Sequence, residues 1–506
     1  MSELQNQHVL VLGLGLSGLA MARWCVRNGA RVTIADTRTE PPELKKLMEM
    51  VPDAKFICGD LDASLHRHGP FDRILKSPGL SPAEVKDALL VDVPSLAFVT
   101  GELDLFSAAL FELLKTRGYQ PKVLAVTGTN GKTTVTSLTG KLIERAGKTV
   151  GIAGNIGPTL LEVLMAHQDG ETLPQVWVLE LSSFQLNEVQ HFNPDAATVL
   201  NVSEDHLDWH EDLQHYVAAK QRIFGVVGCR ILNRDDSTVM GMKPSVRTTG
   251  KKAENPSVIC QTFGQGLPIN PGDYGMENVN GVVWLVRALN ADGQRRKRNE
   301  VPEELHIQRL LPADALRIRG KHNALNALAA LALGEAAGCA LAPMLYGLRE
   351  FRGEPHRVES VGRIKEIEFF DDSKGTNVGA TVAAIGGLGA ERKLVVILGG
   401  VGKGQDFLPL AQPVANHARA VVLLGRDAAL IAKALEPLTV PVFYAETMSD
   451  AVSQSIGQAH PGDAVLMSPA CASFDMFQNY VHRAAVFRQA VEAFAAETGN
   501  SLERVL

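Results

Sequence analysis

The sequence lacks several features that would place the protein in well-defined classes. Its 6 cysteines have no paired spacing and form no Cys-x-x-Cys motif, which argues against a disulfide framework and is typical of a reducing compartment. No apolar run approaches the ~18 residues that a membrane-spanning helix requires. The formal net charge is −6, so no overall positive field is present to attract nucleic acid or an anionic membrane.

Two short segments could be mistaken for exceptions to these absences. The basic run Arg295–Arg298 lies in a polar stretch after Asp292 and Gly293, which favours a solvated loop over a nucleic-acid patch. The first residues, from Met1 to His8, have no basic start of the kind that opens a signal peptide. We therefore expect a cytoplasmic protein, monomeric, with no nucleic-acid partner and no membrane span.

The length and the order of predicted elements indicate a three-domain α/β protein. A chain of 506 residues accommodates about three domains of ~150 residues. Strand and helix patterns alternate through most of the chain, which predicts parallel sheets covered by helices. We expect a Rossmann-like N-terminal domain at 1–117, a central P-loop ATPase-type domain at 118–353 and a Rossmann-like C-terminal domain at 354–506. Residues from about 246 to 312 are expected to form a loop-rich insertion with short antiparallel strands.

The hydrophobic patterns also predict individual elements. Strands are expected at 8–14, 30–35, 123–127, 176–181, 196–201, 230–233, 281–287, 364–370, 393–398, 420–424, 440–444 and 464–468. Helices are expected up to residue 28 and at 101–117, 135–145, 214–224 and 324–337.

The most informative motif is a glycine-rich loop, Gly128-Thr-Asn-Gly-Lys-Thr-Thr134, between a predicted strand and a predicted helix. Backbone N–H groups of such a loop bind phosphate oxygens, while Lys132 can neutralise β/γ-phosphate charge and Thr133 can reach a magnesium ion. The loop departs from the full G-x-x-x-x-G-K-[ST] spacing because position 126 is valine. The alternative is a surface turn that contains a lysine, but the flanking strand and helix favour phosphate binding. The predicted ATP-binding residues of this loop are Gly128, Thr129, Asn130, Gly131, Lys132, Thr133 and Thr134.

A second glycine loop, Gly13–Gly18, has the G-x-G-x-x-G pattern, and Asp36 follows at the end of the next predicted strand. The glycines allow backbone N–H groups to approach a diphosphate at a helix N-terminus. The ligand could be NAD or another diphosphate. The alternative is that the loop is only a tight turn that binds no ligand. Thr37 and Arg38 could add a hydroxyl and a cation to a nucleotide site.

Two acidic positions follow apolar strands of the central region. Glu180 ends one strand and could hold Mg²⁺, or it could be an ordinary paired or capping glutamate. Asp205 and His206 follow the next strand and could serve a second metal or the reacting group, although a single histidine is often structural. Lys220, in a helical pattern, is by itself expected to be solvated.

The last third of the chain carries cations and hydroxyls after its predicted strands. Two lysines and several hydroxyls at one sheet edge would bind a small anion, and a dicarboxylate fits better than a monocarboxylate. Arg357, near a predicted domain boundary, could contact a bound phosphate or form a surface ion pair. The candidate residues of this region are Arg357, Asp372, Lys374, Thr376, Lys403, Ser473, Phe474 and Tyr480.

These motifs, taken in order, resemble those of the Mur ligase family over nearly the whole chain. The most similar members are those that add D-glutamate to UDP-N-acetylmuramoyl-L-alanine. The matching segments are 13–18, 36–38, 128–134, 154–157, 179–186, 204–206, 320–323, 355–357, 372–377 and 468–473.

The resemblance implies an ATP-dependent, ADP-forming amide ligase that acts through an acyl phosphate in peptidoglycan precursor synthesis. It implies that the first domain holds the UDP of the sugar substrate and not NAD. Alternatives are a Mur-type ligase with a different amino acid and a nicotinamide oxidoreductase. No catalytic motif of the family falls in the region from about 246 to 312, and we assign it no role.

The resemblance also implies roles for individual residues. Lys132, Glu180, His206 and Lys220 are the expected catalytic residues, and Lys220 is expected to be carbamylated. Mg²⁺ is expected at Thr133, Glu180, His206 and Lys220. Beyond the glycine loop, ATP is expected to contact Asn323, Arg357 and Asp372. The UDP-sugar is expected at Leu16, Ser17, Thr37, Arg38, Asn155 and Ser182. D-glutamate is expected at Lys374, Thr376, Lys403 and Ser473, with Phe474 and Tyr480 differing from the best-known members.

Overall fold

The first part of the chain forms a five-stranded sheet with the order β3-β2-β1-β4-β5 and all neighbours parallel. The structure is a computed structural model, and it describes residues 3–81, 84, 99–155, 157–244, 259–290, 305–390 and 392–503 of the chain. The strands are β1 His8–Leu12, β2 Arg31–Asp36, β3 Lys55–Cys58, β4 Arg73–Lys76 and β5 Val99–Thr100. The helices are α1 Leu16–Arg27, α2 Leu44–Met50 and α3 Glu102–Arg117, with a 3₁₀ turn at Ala63–His68. The predicted strand–loop–helix–strand start is confirmed.

A six-stranded parallel sheet follows, with the order β11-β10-β9-β6-β8-β7. Its strands are β6 Lys122–Thr127, β7 Val150–Gly154, β8 Val176–Glu180, β9 Ala196–Val199, β10 Cys229–Asn233 and β11 Cys260–Phe263. Its helices are α4 Lys132–Arg145, α5 Leu160–Asp169, α6 Ser183–Leu186, α7 Leu207–His210, α8 Leu213–Gln221 and α9 Ser237–Met240, with a 3₁₀ turn at Arg222–Phe224. Strand β6 lies between β8 and β9, so the segments that follow these three strands meet at one sheet edge.

A small three-stranded sheet has the order β12-β13-β14. Its strands are β12 Tyr274–Val279, β13 Val282–Leu289 and β14 His306–Pro312. The turn between β12 and β13 is Asn280-Gly281, and both residues have positive φ (52° and 86°), as a tight hairpin turn requires. The predicted strand at 281–287 is confirmed, whereas 245–258 and 291–304 of the expected insertion lie outside the described residues. Helices α10 Lys321–Ala336 and α11 Leu341–Glu350 follow.

The last sheet has the order β15-β16-β20-β17-β18-β19, with β15 antiparallel to β16 and the other neighbours parallel. Its strands are β15 Glu359–Ile364, β16 Ile367–Asp371, β17 Leu394–Leu398, β18 Ala418–Leu423, β19 Val442–Tyr444 and β20 Ala464–Met467. Its helices are α12 Val378–Gly389, α13 Ala411–His417, α14 Ala428–Leu435, α15 Met448–Gln458 and α16 Tyr480–Glu497, with a 3₁₀ turn at Leu408–Leu410. All five residues of β17 are buried, as its continuous apolar pattern predicts.

The prediction of one strand at 364–370 is wrong. Ile364 ends β15, Lys365 and Glu366 form a turn, and Ile367 begins β16. Lys365 has a positive φ of 54°, which reverses the chain between two strands that pair with each other. The apolar residues on either side of this charged turn resemble one uninterrupted strand in the sequence.

Spatial clustering of the described residues separates the chain into two units. The first comprises Met1–Tyr274, Arg287–Gln308 and Leu328–Gly347 and contains the two parallel sheets. The second comprises Gly275–Val286, Arg309–Ala327 and Leu348–Leu506 and contains the mixed six-stranded sheet. Among the described helices, none combines the length and apolar character needed to cross a bilayer.

Candidate active site

The phosphate-binding loop connects β6 to α4, and Lys132 is the first residue of that helix. Gly128 has a φ of 154°, and a Cβ placed there would lie 3.0 Å from the Leu200 Cβ and 3.2 Å from the Leu200 N. A side chain at this position would therefore collide with the segment after β9. The Lys132 Nζ donates to the Gly128 O and the Thr129 O, both at 2.8 Å, so the lysine folds back over the loop.

The loop is fastened to the segment that follows β9. The Asn130 N–H donates to the Asn201 Oδ1 at 2.8 Å, and the Asn201 Nδ2 donates to the Asn130 O at 3.1 Å. The Ser203 N–H donates to the Thr129 Oγ1 at 3.0 Å, and the Tyr216 hydroxyl lies 3.1 Å from the same oxygen. Thr133 is buried. These contacts fix the loop in a conformation that exposes a helix N-terminus to an anion.

Glu180 is the last residue of β8 and pairs in register with Val126 of β6. Its side chain is only 1% exposed. The Asn155 Nδ2 donates to the Glu180 Oε1 at 3.1 Å, whereas the Oε2 atom has no hydrogen-bond partner among the described residues. A buried carboxylate oxygen without a donor is costly unless a cation or another ligand completes it, so this atom is suited to a metal ion.

His206 follows β9 and precedes α7 with a left-handed φ of 56°. Its ring lies 4.7 Å from that of Phe184, and its Nε2 lies 3.6 Å from the Asp205 Oδ2. The side chain is 40% exposed, so the imidazole remains accessible to a ligand. Because β6 lies between β8 and β9, Glu180 and His206 come from the two strands that flank the glycine loop.

Lys220 is buried, which contradicts the expectation from residue type that it is solvated. Its side chain is 1% exposed, its Nζ donates to the Gly128 O at 2.9 Å and lies 4.4 Å from the centre of the Tyr216 ring. Burial, and then the positive charge of Lys132, lower the pKa of Lys220 well below its usual value. The burial of Lys220 results from the packing of α8 against the glycine loop, which the local sequence pattern does not indicate.

Ser182 caps the short helix α6. Its Oγ accepts from the Gln185 N–H at 3.2 Å, and the Ser182 N–H donates to the Gln185 Oε1 at 3.0 Å. This capping box fixes the turn directly after Glu180. The hydroxyl therefore has a local structural role in addition to any contact with a substrate.

The N-terminal glycine loop lies between β1 and α1. A Cβ at Gly18 would lie 2.0 Å from the Gly13 O, so the loop and helix approach each other too closely for a larger residue. Leu16 is 55% exposed at the start of α1. Leu16 and Ser17 thus begin a helix that a ligand can approach from its N-terminal end.

Asp36 is occupied within the protein. Its Oδ2 accepts from the Leu14 N–H at 2.7 Å and from the Arg38 Nη2 at 2.8 Å, and its Oδ1 accepts from the Arg38 N–H at 2.9 Å. Burial acts to raise the pKa of Asp36, but the hydrogen bonds from Arg38 and Leu14 outweigh it and lower the pKa to about 2. Asp36 orders the loop, so it is not a free acceptor for a ribose hydroxyl. Thr37 and Arg38 are exposed beside it.

In the second unit, Asp372 is buried where β16 ends. The Ser468 Oγ donates to its Oδ2 at 2.6 Å, and the Val358 N–H donates to its Oδ1 at 3.3 Å. Burial raises the pKa of Asp372 to about 7, against the lowering effects of Ser468 and of the Arg357 charge. Asn323, near the start of α10, is also buried, and its Nδ2 donates to the Arg319 O at 2.8 Å.

The residues predicted to bind D-glutamate come after the carboxyl ends of three strands in the last sheet. The Lys374 Nζ lies 4.0 Å from the centre of the Tyr480 ring, a cation–π contact. Ser473 is buried and Phe474 is 71% exposed. Val401 and Ala472 form an isolated antiparallel bridge, which places the Lys403 loop beside the Ser473 loop. Lys403 is exposed, and Thr376 is partly buried.

Family models match most of the chain. The Mur ligase middle domain matches residues 126–334, the glutamate ligase domain of Mur ligases matches 356–471, and a MurD-like N-terminal domain of Mur ligases matches 7–92. The chain belongs to the Mur ligase family. Its three-domain architecture with parallel and mixed α/β sheets agrees with the prediction.

Known relatives of this Mur ligase cover its whole length. It is 60% identical to the UDP-N-acetylmuramoylalanine–D-glutamate ligase of Albidiferax ferrireducens, over 99% of both chains. It is 53% identical to the enzyme of the same name from Paraburkholderia xenovorans, over 98% of both chains. Its fold is similar to that of the MurF ligase from Thermotoga maritima in complex with ADP, with a TM-score of 0.56 and 16% identity over 98% of this chain and 100% of that one.

Two residues that sequence reasoning did not select also contact the predicted site residues or their neighbours. Tyr216 contacts both Thr129 and Lys220, and its only signal in the sequence is a spacing of one helical turn from Lys220. Arg488 of α16 contacts Asp371, 117 residues away in the chain, and no motif surrounds it.

Proposed function

We infer that this Mur ligase joins D-glutamate to UDP-N-acetylmuramoyl-L-alanine and forms ADP and phosphate, a step of peptidoglycan precursor synthesis. The observation that carries the inference is the 60% identity over 99% of both chains to a ligase with this name. The MurD-like first domain supports this ligase over Mur ligases that add other amino acids. The nicotinamide alternative has no support, since Asp36 is engaged by Arg38 and Leu14.

We propose that ATP binds with its phosphates at the glycine loop after β6. The support is the exposed N-terminus of α4, with Lys132 folded over the loop where it can turn outward to a phosphate. Asn323, Arg357 and Asp372 remain proposed ATP contacts on the second unit. Asp372 is protonated over part of the neutral range because its pKa is about 7, so it can donate as well as accept.

We propose that Mg²⁺ is held by Thr133, Glu180, His206 and Lys220. The fit rests on the Glu180 Oε2, which is buried and has no donor among the described residues. The unmodified Lys220 is a hydrogen-bond donor, so it can join this set only as a carbamate. Its buried, easily deprotonated amine is the form that reacts with CO₂. A bound Mg²⁺ would offset the negative charge of the phosphates and the attacking carboxylate.

The two other substrates are assigned by the resemblance and by the loops described above. We propose UDP-sugar contacts at Leu16, Ser17, Thr37, Arg38, Asn155 and Ser182. We propose D-glutamate contacts at Lys374, Thr376, Lys403, Ser473, Phe474 and Tyr480. The support is that every residue follows the carboxyl end of a strand. The first set follows β1, β2, β7 and β8, and the second follows β16, β17 and β20.

The chemistry requires the activation of a carboxylate. An oxygen of the alanyl carboxylate attacks the γ-phosphorus of ATP, the bond to the β-phosphate oxygen breaks, and ADP leaves. The neutral amine of D-glutamate then attacks the acyl-phosphate carbonyl. The carbon–oxygen bond to phosphate breaks, and the amine loses a proton to the departing phosphate. Lys132 stabilises the charge on the transferring phosphoryl group, and exclusion of water protects the acyl phosphate from hydrolysis.

Three further properties remain proposals. We propose that the domain boundaries follow the predicted 1–117, 118–353 and 354–506; each of the three matched family segments, 7–92, 126–334 and 356–471, falls within one of these ranges. We propose that the enzyme acts as a monomer. We propose that it acts in the cytoplasm, where ATP and nucleotide sugars are available.

The test is phosphate release with UDP-N-acetylmuramoyl-L-alanine, ATP and a panel of single amino acids. We expect release with D-glutamate and little with L-glutamate, L-alanine or a diamino acid. Equal release with all amino acids, or preference for a different one, would contradict the proposed substrate.

A further inference from the structure

Two acidic side chains meet at the end of the antiparallel pair β15 and β16. Glu359 and Asp371 are direct cross-strand partners, so their side chains lie on the same face of the sheet. Asp371 is fully buried, and the Glu359 side chain is 32% exposed. Two carboxylates so placed repel each other unless cations compensate them.

Arg488 of α16 supplies this compensation. Its Nη2 donates to the Glu359 Oε2 and lies 3.3 Å from the Asp371 Oδ2, and its Nε lies 3.4 Å from the same Asp371 oxygen. The guanidinium therefore bridges both carboxylates with its planar fork, a geometry that a lysine cannot reproduce.

The same carboxylates hold the loop that carries Arg357. The His356 N–H donates to the Glu359 Oε2 at 2.9 Å, and the His356 Nδ1 lies 2.7 Å from the Asp371 Oδ2. Both neighbours of Arg357 have positive φ: 64° at His356 and 50° at Val358. Such a conformation is rare for a β-branched residue and persists only where the surroundings enforce it. The direction of Arg357 thus depends on contacts to Glu359 and Asp371.

The loop is also connected to a proposed amino-acid contact. The Lys374 N–H donates to the His356 O at 3.1 Å, and the Ser373 N–H donates to the Asp371 Oδ1 at 2.9 Å. A shift of His356 would therefore move Lys374 together with Arg357.

The three groups His356, Glu359 and Asp371 could be taken for a metal site, because one ligand atom of each lies within 4.8 Å of the others. Arg488 already provides a positive charge against both carboxylates. A divalent cation at the same place would have to overcome the repulsion of the guanidinium. The cluster is therefore better explained as a structural ion-pair network.

We propose that Arg488 is a positioning residue for both ATP and D-glutamate, acting through Glu359, Asp371 and His356 on Arg357 and Lys374. This proposal rests on the proposed function, since it assumes that Arg357 and Lys374 contact those substrates. It predicts that loss of Arg488 weakens the binding of ATP and of D-glutamate and leaves the binding of the UDP-sugar unaffected.

The test compares four variants of the full chain by steady-state kinetics with each substrate varied in turn. Arg488→Met should raise KM for ATP and for D-glutamate roughly tenfold each, the effect of one lost charged hydrogen bond, with KM for the UDP-sugar changed less than about twofold. Arg488→Lys should give intermediate values, because it keeps the charge and loses the fork. Arg363→Met is the matched control, since Arg363 of β15 forms an exposed ion pair of 3.0 Å with Glu503, and it should behave as wild type.

A double variant separates positioning from general damage. Adding Glu359→Gln to Arg488→Met removes one of the two facing carboxylate charges, so both raised KM values should fall again. Unchanged KM values in Arg488→Met, an equal rise for all three substrates, or no recovery in the double variant would each overturn the proposal. A wild-type protein without D-glutamate-dependent phosphate release would instead refute the proposed function, and the same assay shows that first.

Discussion

Replacement of Glu180 by glutamine should change stability and activity in opposite directions. The Glu180 side chain is 1% exposed, and its Oε2 atom has no hydrogen-bond donor among the described residues. Glutamine keeps the acceptor for Asn155 and the shape of the side chain, but it removes the negative charge. Without metal, the variant therefore loses an unfavourable buried charge. With metal and ATP, it loses a ligand.

The magnitude follows from the extra cost of burying an unsatisfied charge rather than an unsatisfied neutral amide. We take this difference as about 1–3 kcal/mol. For a domain of 150–250 residues this corresponds to roughly 2–12 °C in Tm. We therefore expect Glu180→Gln to melt about 2–12 °C above wild type in EDTA, while its activity with Mg²⁺ falls by at least about 100-fold.

The assay is thermal unfolding in EDTA and again with increasing Mg²⁺ and a non-hydrolysable ATP analogue. Wild type should gain stability as the ligands bind, and Glu180→Gln should gain much less. Glu188→Gln is the matched control, because Glu188 lies 3.4 Å from the buried Lys76. Loss of that charge leaves a buried cation uncompensated, so this control should lower Tm.

The reasoning would be refuted by Glu180→Gln melting below wild type in EDTA to the same extent as the control. It would equally be refuted by an undiminished response of Glu180→Gln to Mg²⁺. Either result would mean that the orphaned oxygen is satisfied by the protein and does not hold an ion.

Three other predictions follow from the sites. Lys132→Ala should abolish ADP release even with all substrates saturating, because the protein's own cation at the transferring γ-phosphoryl group is then lost; normal turnover would remove the phosphate-loop assignment. Tyr480→Leu should raise KM for D-glutamate several-fold and Tyr480→Phe should not, because the Lys374 Nζ lies 4.0 Å from the ring centre; equal effects of both variants on KM would contradict this role. Asp36→Asn should lose about 2 kcal/mol of stability at neutral pH, since the pKa of Asp36 falls from 3.8 to about 2 on folding. That contribution is present above pH 3.8 and is lost as the pH falls towards 2. The Tm difference between Asp36→Asn and wild type should therefore shrink in acid. A constant difference would show that the charge of Asp36 is not responsible.

The sequence predicted those parts of the site that depend on local chain order. The glycine loop could be recognised because the hydrophobic period changes from that of a strand to that of a helix around Gly128 and Gly131. Glu180 could be selected because it is a lone carboxylate at the end of an otherwise apolar strand. In both cases the parallel sheet brings neighbouring strand ends to one edge.

The remaining features depend on packing that no local pattern encodes. Lys220 is buried by contacts with Gly128 and Tyr216, although its helix resembles a solvated one. The strand predicted at 364–370 was wrong because the positive φ at Lys365 is set by pairing between β15 and β16. Arg488 is joined to its partners across more than a hundred residues of chain.

The most direct measurement of the central claim follows one oxygen atom. The alanyl carboxylate of UDP-N-acetylmuramoyl-L-alanine is labelled with ¹⁸O, and the phosphate released in the presence of ATP and D-glutamate is analysed by mass spectrometry. We predict that each phosphate carries one labelled oxygen, because the carboxylate oxygen forms the bond to the γ-phosphorus and leaves with it. Unlabelled phosphate, released at the rate of product formation, would contradict activation of the acid by phosphoryl transfer.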